Sequence, residues 1–160
     1  MKYLANKPIE NTVILTGDIH ASFALEVVDS PTDNPEYNPK TGAGAVAVEF
    51  VTPSLTAANF DEETGDIFAG SLEARINRPD SNGDNPNPHM KFADLNRHGY
   101  IVLTVATDQV QADFYFIKNI LNPTSTEAWG GGWISPSGSH QLVSAGKPVP
   151  AQNNQDMPEP

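Results

Sequence analysis

The sequence predicts a β-rich α/β fold in which the strands of a mixed sheet, including one hairpin, outnumber the helices. Five segments have the alternating or continuous apolar pattern of β-strands, and one segment has helical periodicity. Twelve glycines and fourteen prolines favour turns and long loops between these segments. At 160 residues, the chain has the length of one ordinary domain or of a piece of a larger one.

The predicted strands follow one another in the first three quarters of the chain. They cover residues 12–16, 23–28, 46–50, 100–106 and 110–117. The first strand ends at Gly17, the third is stopped by Pro53, and the last two are joined by a three-residue turn as a hairpin. The loops between them are long for a compact domain of this size, which indicates that they carry function.

Helical periodicity occurs over residues 66–76, although Gly70 lowers the helix propensity of this segment. Near the C-terminus, three glycines between Trp129 and Trp133 predict a hinge. The chain is therefore divided into a folded portion over residues 1–118, a Gly/Trp-rich extension over 119–145 and a flexible tail over 146–160.

The composition disfavours several classes of partner and site. Nine basic and twenty acidic residues give a formal net charge of −11 and a pI of about 4.5. Such a polyanion lacks the Lys and Arg that neutralise the phosphates of nucleic acids and anionic membranes. The absence of cysteine excludes disulfides, thiolate metal sites and cysteine nucleophiles. We find no signal peptide and no apolar run long enough to span a membrane.

Asp18 and His20 form the first candidate metal site, just after the predicted strand 12–16. Residues i and i+2 of an extended chain point to the same side, so a carboxylate and an imidazole converge there. This pair of donors suits iron, zinc or manganese, or calcium through the carboxylate. An Asx-type turn followed by a surface histidine also accounts for the same residues.

Asn87 and His89 form a second candidate pair. Pro88 restricts the backbone between them, so that an amide oxygen and an imidazole nitrogen can be held in place. An ordinary loop histidine is the alternative reading of this segment. His98 and His140 are interpreted as surface residues.

Two other motifs match known sites less well. Residues 80–84 resemble the start of a calcium loop, but Asn85 and Lys91 replace the glycine and the closing glutamate of an EF-hand. A looser calcium loop is compatible with this segment. Ser137 and Ser139 are not part of the Gly-x-Ser-x-Gly elbow of a hydrolase.

Four short blocks occur in order along the chain. They are residues 17–20 (GDIH), 48–54 (VEFVTPS), 87–89 (NPH) and 98–100 (HGY). Together they resemble the C-terminal half of the alkaline phosphatase D (PhoD-like) metallophosphatases, over about residues 10–118. The folded portion over 1–118 is thus similar to the C-terminal part of such a domain. The resemblance implies a four-layer α/β/β/α sandwich.

The resemblance also implies a function. Members of the family hydrolyse phosphate mono- or diesters at a two-metal centre, commonly iron with calcium, in a periplasmic or secreted location. Asp18 and His20 match the family's late metal-ligand motif. Asn87 and His89 match a block that we expect at the rim of the active site. Zinc or manganese is also compatible with the donors.

This sequence departs from the family pattern in one respect. The early Gly-Asp-x-x-Tyr and Gly-Asn segments, which supply further ligands in the family, do not occur in it. We therefore expect a segment of a phosphoric-ester hydrolase that is inactive alone and is completed by an N-terminal half or a second chain. No catalytic residue is assigned. The alternatives are a non-catalytic, truncated β-rich binding module that retains the fold, and a calcium-stabilised secreted binding module.

Overall fold

The computed structural model describes residues 2–5, 9–78, 85–121 and 126–151, which form two four-stranded β-sheets packed face to face. In chain order, the elements are α1 (Lys2–Ala5), β1 (Val13–Thr16), β2 (Ser22–Val27), β3 (Ala47–Val51), α2 (Phe60–Thr64), α3 (Asp66–Asn77), β4 (Met90–Asp94), β5 (Gly99–Val105), β6 (Gln109–Ile117), β7 (Glu127–Pro136) and β8 (Val143–Ala145). In these ranges no helix is both long and apolar enough to cross a membrane.

The first sheet is mixed and has the strand order β1-β3-β2-β4. β1 pairs with β3 in parallel, whereas β2 runs antiparallel to both β3 and β4. β1, β3 and β4 therefore point in one direction, and their C-terminal ends lie at the same edge of the sheet. The second sheet is antiparallel, with the order β5-β6-β7-β8.

Two apolar layers hold these elements together. The layer between the sheets contains Phe50 of the first sheet and Phe114 of the second, both fully buried. Phe92 and Phe114 meet across it, with ring centroids 5.0 Å apart. On its other face, the first sheet packs against α3 through Ala69 and Ile76. Because apolar side chains are buried on both faces of the first sheet, its strands are nearly continuous apolar segments in the sequence.

The structure confirms the β-rich class, the five predicted strands and the helix predicted over 66–76, which is α3. It adds three strands that the sequence did not predict, namely β4, β7 and β8. The predicted glycine hinge between Trp129 and Trp133 is wrong, because these residues lie inside β7, which pairs with β6 along its length. Residues 127–145 thus belong to the second sheet.

The glycines of β7 are explained by close packing on β6. A Cβ atom at Gly130 would overlap the ring of Phe116, and one at Gly132 would overlap the carboxylate of Asp113. Gly131 has a φ of 145°, and it lies beside the register shift between Phe114 and Tyr115. Glycine here permits a close approach between strands and does not indicate a hinge.

The predicted flexible tail over 146–160 needs correction at its start. The side chain of Gln111 donates a hydrogen bond of 3.0 Å to the carbonyl of Lys147. Asp113 accepts one of 3.1 Å from the backbone N–H of Val149. Residues 146–151 are thereby attached to the outer face of the second sheet. Residues 152–160 lie outside the part of the chain that the structure describes.

Candidate functional site

The candidate site lies at the edge where β1, β3 and β4 end. Three backbone hydrogen bonds join the segments that follow these strands. The N–H of Thr52 donates to the carbonyl of Thr16 over 2.9 Å, Phe60 donates to His20 over 3.3 Å, and Gly99 donates to Ser54 over 3.1 Å. Loops beyond the C-terminal ends of parallel strands are a common location for ligand sites in α/β proteins.

Asp18 and His20 lie in the segment that follows β1. Both have left-handed backbones, with φ values of 74° and 55°. This conformation is uncommon for residues other than glycine, and Asp is among the residue types that tolerate it best. The N–H of Ile19 donates to the carbonyl of Gly17 over 2.9 Å, which closes a tight turn between the strand and the two side chains. The segment is therefore a turn and not the extended chain that the sequence predicted.

The imidazole of His20 is oriented by the segment that follows β3. Nδ1 lies 2.6 Å from the carbonyl oxygen of Ala58. A carbonyl can only accept a hydrogen bond, so Nδ1 is the donor, and in the neutral form of the ring it is Nε2 that has the lone pair. The Ala58 segment is itself folded by Ser54, whose Oγ accepts hydrogen bonds from the N–H groups of Thr56 and Ala57. The ring of His20 is half-buried, and Asp18 beside it is exposed.

His98 belongs to the same edge, although the sequence indicated only a surface residue. Its ring is half-buried, with Nδ1 3.2 Å from the carbonyl of Ser54 and Nε2 3.3 Å from the carboxylate of Glu62. Glu62 also accepts a hydrogen bond of 2.8 Å from the N–H of Asn59. His98 therefore links the segment after β3 to α2. No local pattern marks this role, because both partners are distant in sequence.

Asn87 and His89 lie at the opposite end of the first sheet. They precede β4, and the N–H of Glu26 at the far end of β2 donates to the carbonyl of His89 over 2.9 Å. Glu26 is four residues along β2 from Ser22, so about 13 Å of strand separates this end from the segment that carries His20. The structure therefore does not bring Asn87 and His89 to Asp18 and His20.

His89 is half-buried. Its Nδ1 is buried and has no hydrogen-bond partner among the described residues. Burial, followed by the positive charge of Lys91, lowers the pKa of His89 below its usual value. The neutral imidazole is thus the favoured form. Its neighbour Asn87 forms a turn, in which its N–H donates to Asn85 Oδ1 and its carbonyl accepts from Met90.

The donors at the candidate edge fit part of a metal site. A carboxylate and an imidazole that coordinates through Nε2 are both ordinary ligands of divalent and trivalent ions. Within the described ranges, no group of three or more His, Cys, Asp or Glu is arranged to hold a metal ion. Asp18 and His20 therefore form at most a partial ligand set. The loop over residues 80–84, considered above as a calcium loop, lies outside the described residues.

Comparisons with known proteins agree with this fold. The family model described as PhoD-like phosphatase matches residues 1–114. The alkaline phosphatase D of Bacillus subtilis (strain 168) is 29% identical over 125 residues, an alignment that covers 77% of this chain and 18% of the relative. A solved structure described as the structure of PhoD matches with a TM-score of 0.61 at 21% identity, over 92% of this chain and 24% of that chain.

The match of the family model extends over more than half of the chain. The chain therefore belongs to the PhoD-like phosphatase family. The similarity to the solved structure shows that the two share a fold. The chain spans only 18% of the length of the curated relative, so that it corresponds to a part of that protein.

Proposed function

We propose that this chain contributes two ligands, Asp18 and His20, to the metal centre of a phosphate-ester hydrolase. The observation that carries this proposal is the hydrogen bond between His20 Nδ1 and the carbonyl of Ala58. Histidines that bind metal ions usually donate their second ring N–H to a carbonyl or carboxylate, which orients the ring. Membership of the PhoD-like phosphatase family supports the same chemistry.

The residues of this chain have separate tasks in the proposed centre. Asp18 supplies a negative charge at an exposed position, and His20 supplies the lone pair of Nε2. The backbone carbonyl of Ala58 fixes the tautomer and the orientation of that ring. The contacts of His98 with Ser54 and Glu62 position the segment that carries Ala58. A bound metal ion would polarise a phosphoryl oxygen and lower the pKa of a bound water.

We propose iron and calcium as the metals, on the basis of the family resemblance. Zinc and manganese are further candidates for a carboxylate–imidazole pair. Two adjacent metal ions require more ligands than Asp18 and His20 provide. The chain alone is therefore expected to bind metal weakly and to be inactive on phosphate esters. Further ligands would come from an N-terminal half of the domain or from a second chain.

A non-catalytic role is the second candidate function. Among the described residues there is no cluster of three ligands, which favours a β-rich binding module that has kept the fold without the chemistry. Metal titration separates the two functions. The non-catalytic module has no reason to bind metal through Asp18 and His20.

The test is the binding of Mn²⁺, Zn²⁺ and Ca²⁺ by calorimetry to the chain and to Asp18→Asn and His20→Asn. Asparagine tolerates the left-handed backbone at both positions, so these changes replace the carboxylate and the imidazole by a neutral amide, a weaker ligand, without adding strain. Asp108→Asn, in the exposed turn between β5 and β6, is the matched control. We expect each ligand variant to weaken binding by about tenfold or more, and the control to leave it unchanged.

Activity is measured separately, as p-nitrophenyl phosphate cleavage after the chain is combined with the N-terminal part of a PhoD-like phosphatase. The same two variants should abolish the cleavage that the combination restores. Unchanged metal affinity in both ligand variants would refute the assignment of Asp18 and His20. A periplasmic or secreted location is also part of the proposal, on the basis of the family resemblance, and fractionation of the source cells tests it.

A further inference from the structure

Each sheet has an edge strand on the same side of the molecule, and that strand has a neighbour along only one of its edges. Among the described residues, β1 is the last strand of the first sheet and β5 the last strand of the second. The two strands come together at a cavity of about 170 Å³, which is lined by Val13 of β1, Val105 of β5 and Val110 of β6. We call this side, formed by β1 and β5, the open side.

The apolar layer between the sheets is uncovered at the open side. Leu15 has the orientation of Val13, toward the second sheet, and pairs in register with Phe50. Phe50 is fully buried, whereas Leu15 is 58% exposed. β5 begins beside the segment that follows β3, where the N–H of Gly99 donates to the carbonyl of Ser54.

Val105 in β5 is an inward-facing residue of the second sheet. Ile101 and Leu103 pack in the layer between the sheets, and Val105 is the next residue of β5 that points to the same side. It is nevertheless 70% exposed. Two residues that face the interior, one from each sheet, are thus in contact with solvent on one side of the molecule.

The backbone of β1 is also available on the open side. The carbonyls of Thr12 and Thr16 accept hydrogen bonds from the N–H groups of Val48 in β3 and of Thr52, which directly follows β3. Alternate residues of a strand direct their backbone groups to opposite sides, so Val13 and Leu15 direct theirs away from β3. Proteins usually protect such an edge with a charged residue, a proline or a bulge. The sequence of β1, VILT, contains none of these.

We infer that the open side is a docking surface for further β-strands of a PhoD-like phosphatase domain, and that one of these strands pairs with β1. The chain covers 18% of the curated relative and 24% of the matching solved chain, so the family has much polypeptide beyond the matched part. A strand parallel to β1 would end at the edge that holds Asp18 and His20. In that respect the inference rests on the proposed function, because the loop after such a strand could supply further ligands.

The experiment mixes this chain with the part of the Bacillus subtilis alkaline phosphatase D that lies N-terminal to the matched segment. Complex formation is measured by native mass spectrometry and by the dissociation constant, without metal or substrate. The edge variant is Leu15→Lys with Val105→Lys. The control variant has the same added charge at two other exposed residues, Ile67→Lys with Leu121→Lys, which are 89% and 86% exposed.

We expect a 1:1 complex with the wild-type chain and the control, and at least about tenfold weaker binding of the edge variant. In the complex, the amide of Leu15 should exchange its hydrogen more slowly. Absence of a complex, or equal binding of both variants, would overturn the inference. A dimer of this chain that the edge variant disrupts would also overturn it, since a second copy would then occupy the surface. If Asp18→Asn abolishes activity while the complex still forms, that result supports the proposed function and leaves this inference unaffected, so the two proposals are tested separately.

Discussion

Nζ of Lys91 lies 3.1 Å from Oε2 of Glu26, whose side chain is completely buried between the sheets and the loop before β3. The same carboxylate accepts hydrogen bonds from the hydroxyl of Tyr37 over 2.6 Å and from the N–H of Leu142 over 2.9 Å. One acidic group therefore connects β2, β4, the loop over residues 28–46 and the segment before β8. Burial and the bond to this carboxylate raise the pKa of Tyr37.

Removal of Lys91 should destabilise the protein strongly. Lys91→Met leaves the Glu26 carboxylate buried without its counter-charge, and breaking a buried pair in this way costs about 3 kcal/mol or more. In the double variant Glu26→Gln, Lys91→Met, the buried charge is gone, and part of the loss should be recovered. Urea unfolding of the two variants and the wild type measures the difference. A double variant less stable than Lys91→Met would contradict this account.

Two glycine substitutions should change stability in opposite directions. At Gly130, the added methyl of Gly130→Ala would overlap the ring of Phe116, so we expect a loss of about 1–3 kcal/mol from overpacking. At Gly70 in α3, an added Cβ meets no atom, and Gly70→Ala should stabilise the protein by about 0.5–1 kcal/mol. Thermal unfolding of both variants tests this. If Gly130→Ala were neutral, close packing would not be the reason for glycine in β7.

Tyr100 should ionise at high pH. Its hydroxyl donates a short hydrogen bond to the carboxylate of Glu127, which, with partial burial and the negative charge of Glu127, raises the pKa of Tyr100 to about 12. The difference between the ultraviolet titrations of the wild type and Tyr100→Phe should therefore have its midpoint near that value. Glu127→Gln should move the midpoint toward the ordinary value near 10. The stabilisation from this pair is present below about pH 10 and is lost as the pH rises through the raised pKa.

Acid should destabilise the protein partly through His89. Its pKa is lowered by burial and by Lys91, so the folded state binds fewer protons than the unfolded state just below pH 6.5. The neutral imidazole contributes stability above about pH 6.5, which is lost as the pH falls through the lowered pKa. His89→Gln should therefore lose less stability than the wild type between pH 8 and pH 5.5, measured by urea unfolding. An equal loss in both proteins would argue against it.

The apolar pattern was sufficient to predict the strands that are buried on one or two faces and the helix α3. The pattern does not predict β4, β7 or the three-residue strand β8. β4 is a short edge strand, and the glycines of β7 have low strand propensity. The strand conformation of β7 depends on pairing with β6 and on the space that the side chains of Phe116 and Asp113 require. Such requirements come from residues distant in sequence, and local propensity does not contain them.

The candidate site divides in the same way. The order of the four sequence blocks identified the family, and the spacing of Asp18 and His20 identified a possible donor pair. Tertiary contacts determined the rest. Ala58, 38 residues away, selects the tautomer of His20, and His98 is brought to the same edge by Ser54 and Glu62. β4 runs in the same direction as β1. His89 precedes β4 whereas His20 follows β1, so the two histidines lie at opposite ends of the sheet. Strand direction and long-range hydrogen bonds are properties of the folded sheet, and the spacing of residues along the chain does not specify them.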